Sequence, residues 1–254
     1  MTKKEYLAAV EGLGRAASDY LDGMEPVYEQ FRIHTLPEAQ AQVKERWGAL
    51  LKEKSDLVSR LEPPRGFTEF HEQFLQAWQH LVRSCEVFST PIRPEEWILC
   101  LRGSRGEMCQ AMRLLYGLRL QIPGFAGHWL TPEARADLEK LEARPDPPPG
   151  VQVGLLYRNW EPQPPRYTLY VPENYDPSRA WPVVVALHGG GGNDHDFVWL
   201  YLKHAKSRGY LVVVPKSIDV TWTFSDSQVV LAALQEVASM YSVDQSAVFL
   251  TGVS

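Results

Sequence analysis

Two short segments of this chain carry residue types that would do chemistry together. The first is LHGGGGND, Leu187 to Asp194, in which four consecutive glycines follow an apolar run. Glycines are entropically costly to order, but without side chains their backbone amides can turn inward on a small anion. The second is TGVS, Thr251 to Ser254, where the apolar run VFL hands over to small residues and a serine. Small residues let such a turn close sharply and expose the hydroxyl above a sheet. A serine presented this way attacks a carbonyl carbon once a base takes its proton, and nearby amides hold the oxyanion that forms. Gly252-Val253-Ser254 is only the first part of G-x-S-x-G, a weak signal by itself. It gains weight because the glycine run precedes it with room for strand crossovers between Gly190 and Gly252.

Other uses of the glycines fit less well. A phosphate-binding Walker loop needs Lys and Ser or Thr after the glycines, whereas Asn193, Asp194, His195 and Asp196 follow here. A dinucleotide fingerprint needs an acidic residue closing the next strand, where the chain has VVVPKS. The histidines near the two segments are His188, His195 and His204, and none is a convincing base. His188 closes the strand ahead of the glycines, where it is best placed to brace the loop. His195, between Asp194 and Asp196, resembles a ligand cluster, yet adjacent residues do not readily chelate together, so a solvated loop tip is expected and no metal site. His204 reads as a helix-surface or packing residue. Asp226 and Asp244 are expected to satisfy backbone amides, in the first turn of a helix and in a turn. Trp222 and Phe224 are candidates for lining an acyl or alcohol pocket, or equally for core. His34, His71, His80 and His128 show no ligand spacing.

The elements that must position these residues fall into two halves. In the first, Tyr6, Val10, Leu13, Ala17 and Leu21 repeat with the helical period, as do Val43, Trp47, Leu50, Leu57 and Leu61. Phe70, Phe74, Ala77, Leu81, Cys85 and Phe88 form the clearest stripe. Ser104 and Glu107 stand at capping-box spacing, and Thr131 and Pro132 suggest another start. EARPDPPPG then interrupts any helix. We therefore expect a helical domain over 1–142, a proline-rich linker over 143–150 and a second domain over 151–254. In the last, Val151, Val153, Leu155 and Tyr157 alternate as a strand, and so do Tyr167, Leu169 and Val171. PVVVAL and YLVVVP are apolar on both faces, as strands covered on both sides are. A crossover helix ended by Gly209 separates them, and a helix starting near Ser225, with Val230, Leu234, Val237 and Tyr241 in its stripe, leads to SAVFL. This order predicts an α/β fold with a mostly parallel sheet.

The 254 residues, 44% apolar and 22% charged, are enough for one large core or two modest ones. A formal net charge of −5 supplies no cationic surface for nucleic acid. No signal peptide and no membrane-spanning apolar run is legible. Cys85, Cys100 and Cys109 lack metal spacing and read as core thiols in a reducing compartment, so the cytoplasm is expected.

YTLYVPENYDPSRAWPVVVALHGGGGN, GYLVVVPKS and YSVDQSAVFLTGVS together resemble the α/β-hydrolase-fold serine esterases, more narrowly the carboxylesterases, phospholipase/carboxylesterase-type lipases, feruloyl esterases and polyhydroxybutyrate depolymerases. The resemblance covers roughly 151–254 and leaves the helical half unexplained. It implies Ser254 as the acylated nucleophile and the loop His188, Gly189, Gly190 and Gly191 as an oxyanion loop, with Gly190 the favoured donor. The second donor would be the residue following Ser254, and the family's acid and histidine come from later strand ends. It also implies a small-molecule ester as substrate and no cofactor. We therefore expect a partial sequence, inactive toward esters by itself, that ends with SAVFL at an exposed sheet edge. A serine peptidase of the same fold remains an alternative, as does a helical interaction module carrying a non-catalytic hydrolase remnant. The helices would shield the site, dock a partner or hold an oligomer.

Overall fold

A computed structural model of the chain describes residues 2–122, 124–143, 150–158 and 166–253. Most of the linker 143–150, the proline-rich segment 161–165 and Ser254 lie outside the described residues. The chain divides into two compact units, Met1–His128 and Trp129–Ser254.

The first unit is helical, with α1 (Lys3–Glu29), α2 (Leu36–Val43), α3 (Ala49–Arg60), α4 (Thr68–Ser89) and α5 (Trp97–Leu118). Thr2 caps α1 and forms a reciprocal box with Glu5. The stripes expected in α1 and α4 are buried throughout. The second stripe departs from expectation for a local reason. Lys44–Gly48 form a π turn between α2 and α3, and its extra residue advances the buried face by one position. Leu51 and Val58 are therefore buried, while Leu57 is 44% exposed. Nor do Ser104 and Glu107 start a helix, because α5 already begins at Trp97. Ser104 is buried mid-helix, where its hydroxyl bonds the Ser84 carbonyl at 2.9 Å and the Tyr28 hydroxyl at 2.8 Å. Its polar atom is satisfied across helices rather than at a helix end.

In the second unit, α6 (Leu138–Glu142) precedes β1 (Gly154–Tyr157), β2 (Tyr167–Val171), β3 (Trp181–Leu187), α7 (Asp194–Phe197), α8 (Trp199–Arg208), β4 (Leu211–Pro215), α9 (Asp226–Met240) and β5 (Val243–Gly252). The strands lie in the order β1-β2-β4-β3-β5. β3 runs parallel to β4 and β5, whereas β2 is antiparallel to β1 and β4. The sheet is thus mixed, which corrects the expectation of a mostly parallel one. A parallel connection needs a crossover of about a dozen residues or more, and the segments 158–166 and 172–180 are both shorter. The chain reverses after β1 and again after β2, and helical crossovers begin only after β3.

Side chains alternate across this sheet. Leu169, Val183, Val185 and Val213 form one cluster with Ala233 and Val237 of α9. On the alternate positions, Thr168 bonds Asp194 of α7, and Tyr170 reaches the group around Lys206 of α8. With helices on both faces, β3 and β4 read as continuous apolar runs. In β1 the alternation slips at Gly154, whose φ is +89°, so Val151 and Val153 pack on the core together with Leu156 rather than Leu155. Gly209 closes α8 in the left-handed conformation, as its sequence position suggested. β5 forms an edge of the sheet and leaves Phe249 and Leu250 64% and 60% exposed. No helix among the described residues is long and apolar enough to cross a membrane.

A buried ion cluster stabilises this unit. The Lys206 ammonium, fully buried, lies 2.5 Å from Glu173 and 3.1 Å from Glu142 of α6, and the Tyr170 hydroxyl donates to Glu173 at 2.9 Å. Removing the cation takes away the charge that two buried carboxylates share in a low-dielectric interior. Lys206→Met is therefore expected to destabilise the protein by about 3–5 kcal/mol in urea unfolding, with part of that loss recovered in a Lys206→Met, Glu173→Gln double variant.

Candidate functional site

Because β3, β4 and β5 are mutually parallel, their carboxyl ends share one edge, where open α/β sheets place ligands. The glycine segment follows β3, the segment 216–225 follows β4, and Gly252 and Val253 close β5. Gly252 pairs with Leu187, and the Val253 amide donates to the Leu187 carbonyl at 3.2 Å. A Cβ on Gly252 would sit 3.2 Å from that carbonyl oxygen, which accounts for the small residue there. β5 thus ends beside the residue from which the glycine loop departs.

The loop is folded tightly. The Gly192 amide donates to the Gly189 carbonyl at 2.9 Å, and the Gly191 amide to the Val220 carbonyl at 2.7 Å. Gly191 has a φ of +67°, and a Cβ on Gly192 would lie 2.9 Å from the Gly189 oxygen, so glycine is required at both for different reasons. Since the Gly191 amide is turned toward Val220, it is committed within the protein.

His188 is 2% exposed, and both ring nitrogens are bonded to backbone. Nδ1 lies 3.0 Å from the Gly189 carbonyl oxygen, which can only accept, and Nε2 faces the Ser217 amide at 3.4 Å, which can only donate. These partners match the tautomer that carries its proton on Nδ1. The Trp222 indole N–H donates to the His188 carbonyl at 2.6 Å, and the two rings lie 5.0 Å apart. The structure thus brings Trp222 to the glycine loop. Phe224, considered alongside it, is 95% exposed and away from any such contact.

Asp226 is almost fully buried and does more than its position at the start of α9 suggested. Its Oδ1 accepts from the Ile218 amide at 2.7 Å, and its Oδ2 from the Thr223 amide and hydroxyl at 2.6 and 2.7 Å. Burial by itself pushes this carboxyl up, but the donors from Ile218 and Thr223 outweigh it and hold the pKa below the ordinary aspartate value. The amides it satisfies belong to the preceding segment, which the residue's place in a helical first turn could not reveal. Asp244 accepts from the Ser246 amide and hydroxyl, at 2.9 and 2.6 Å.

The residues after the glycines also differ from a solvated loop tip. Asn193 caps α7 by accepting from the Asp196 amide at 2.7 Å, which turns the chain into a helix and draws Asp194 inward. Asp194 is fully buried and accepts from the Thr168 hydroxyl at 2.7 Å. His195, a third exposed, has Nδ1 3.6 Å from Asp194 Oδ1. That carboxylate holds the His195 pKa above its ordinary value, against burial and Lys216. His204 is exposed on α8. Among the described residues no group of three or more His, Cys, Asp and Glu is gathered as a metal site would require.

No family model matches the sequence. The chain is 29% identical over 98 residues to feruloyl esterase C of Emericella nidulans and to probable feruloyl esterase C of Aspergillus niger, covering 35% of this chain and 36% of each relative. It therefore spans about a third of the length of the curated relatives it matches. A crystal structure of a thermostable esterase, 19% identical, superposes on 39% of this chain and 34% of its own with a TM-score of 0.31. The chain is distantly similar to carboxylic-ester hydrolases of the α/β-hydrolase superfamily.

The raised pKa of His195 fixes the sign of one measurement. Its contribution to stability is full below the unfolded value of about 6.5 and is lost as pH rises through the higher folded value. Urea midpoints of the wild type are expected to fall across that window, with the slope reduced in His195→Gln.

Proposed function

We propose that this chain supplies the nucleophile and oxyanion portion of a serine hydrolase acting on carboxylic esters. The observation that carries the reading is the pairing of Gly252 and Val253 with Leu187, which brings the residue before Ser254 to the point where the glycine loop begins. The similarity to feruloyl esterases, which covers about a third of their length, supports an ester as substrate.

In the proposed reaction Ser254 Oγ attacks the ester carbonyl carbon as its proton passes to a general base. The carbonyl π electrons move onto oxygen, and amides of the loop ahead of Gly191, Gly190 foremost, stabilise that oxyanion. Collapse expels the alcohol, protonated by the same base, and water then attacks the acyl-serine to release the acid. Gly191 contributes by position rather than as a donor, because its amide is bonded to Val220. His188 is assigned to loop support rather than to the base, since its nitrogens are both used on backbone. The base and its acidic partner are assigned to none of the residues named above. Trp222 borders the acyl or alcohol side, and no cofactor takes part.

The test is ester turnover by the protein at its full length, with p-nitrophenyl acetate and methyl ferulate as probes. Ser254→Ala is expected to lower kcat by about 10⁴-fold or more while the protein remains folded, as removal of a serine nucleophile does. Turnover that survives the substitution would contradict the assignment.

A further inference from the structure

The glycine loop is held from the segment after β4 by the Ser217 amide on His188 Nε2, the Trp222 indole on the His188 carbonyl, and the Val220 carbonyl on the Gly191 amide. That segment has little burial of its own to fix it. Ile218 is 63% exposed and Val220 72% exposed, so apolar packing does not define their positions. Hydrogen bonds must do so, and the most concentrated set converges on the buried carboxylate of Asp226, with donors from Ile218 at one end of the exposed stretch and Thr223 at the other. The segment between those donors contains both Val220 and Trp222.

We infer that Asp226 is the positioning residue of the glycine loop, its carboxylate closing the segment 218–223 and that segment setting the peptide orientations at His188 and Gly191. The inference rests on the reading of the loop as an oxyanion site, and it adds the device that aims it. The chemistry demands a carboxylate. Both oxygens accept, one from Ile218 and one from Thr223, and every donor is neutral, so the bonds are charge-assisted. Asparagine has the same shape but replaces one acceptor by an NH₂ group, which would face an N–H donor whichever way the amide is turned. Asp226 touches no reacting atom; it acts through Val220, Trp222 and His188.

Amide hydrogen exchange in the protein, measured residue by residue, separates this role from general support of the fold. Asp226→Asn is expected to raise exchange at Gly191 by tenfold or more, while Val183, Val185 and Val213 in the sheet keep their protection. Thr223→Val, which removes only the hydroxyl donor, is expected to move Gly191 in the same direction by a smaller factor. In ester turnover, Asp226→Asn should lower kcat at nearly constant KM, because oxyanion donors act in the transition state. Unchanged exchange at Gly191, or equal acceleration at Gly191 and in the sheet, would overturn the inference. Exchange is independent of activity, so a protein without ester turnover would defeat the hydrolase reading and leave the exchange result to decide the positioning role.

Discussion

Four successive glycines have no conformation of their own to enforce, so the peptide planes from His188 to Gly192 are fixed by what bonds to them. Among these ties are the Gly192 amide on Gly189, the Gly191 amide on Val220, the Trp222 indole on the His188 carbonyl, and the His188 ring bridging Gly189 and Ser217. Each replaces conformational freedom with a hydrogen bond to neighbouring backbone or side chain. A ring with both nitrogens committed in this way acts as a rigid spacer. The rest of the second unit makes these ties possible by delivering the ends of three strands to one edge.

That delivery depends on the parallel trio β4, β3 and β5, whatever the direction of β1 and β2. The antiparallel β2 still contributes, because Thr168 on one of its faces holds the buried Asp194 at the start of α7. On the same side Glu173, just after β2, bonds Lys206 of α8 together with Glu142 of α6. Charged groups thus pin helices to one side of the sheet while Ala233 and Val237 of α9 pack on the other.

The sequence revealed elements whose determinants are local. The stripes of α1 and α4, the glycine that ends α8 and the apolar strands all follow from period, capping and propensity. The π turn at Lys44–Gly48 escaped because one added residue in a turn leaves no compositional trace, and it moved burial from Leu57 to Val58. The mixed sheet was concealed by apolar runs that look alike in either direction, although the short segments 158–166 and 172–180 excluded crossovers there. At the site, the glycines and His188 stood out by composition. The reach of Asp226 back to Ile218 did not, nor did the burial of Lys206 in a helix whose neighbours His204 and Arg208 are exposed. Both depend on partners distant along the chain or outside the helix that carries them.

The central claim is that Ser254 and the glycine loop act on the same carbonyl. The most direct measurement is a crystal structure of the full protein after reaction with a phosphonate ester. Phosphorus is expected to be bonded to Ser254 Oγ, with its phosphoryl oxygen about 2.7–3.1 Å from an amide of the loop 188–191. A phosphoryl oxygen directed away from that loop, or an adduct on another residue, would contradict it.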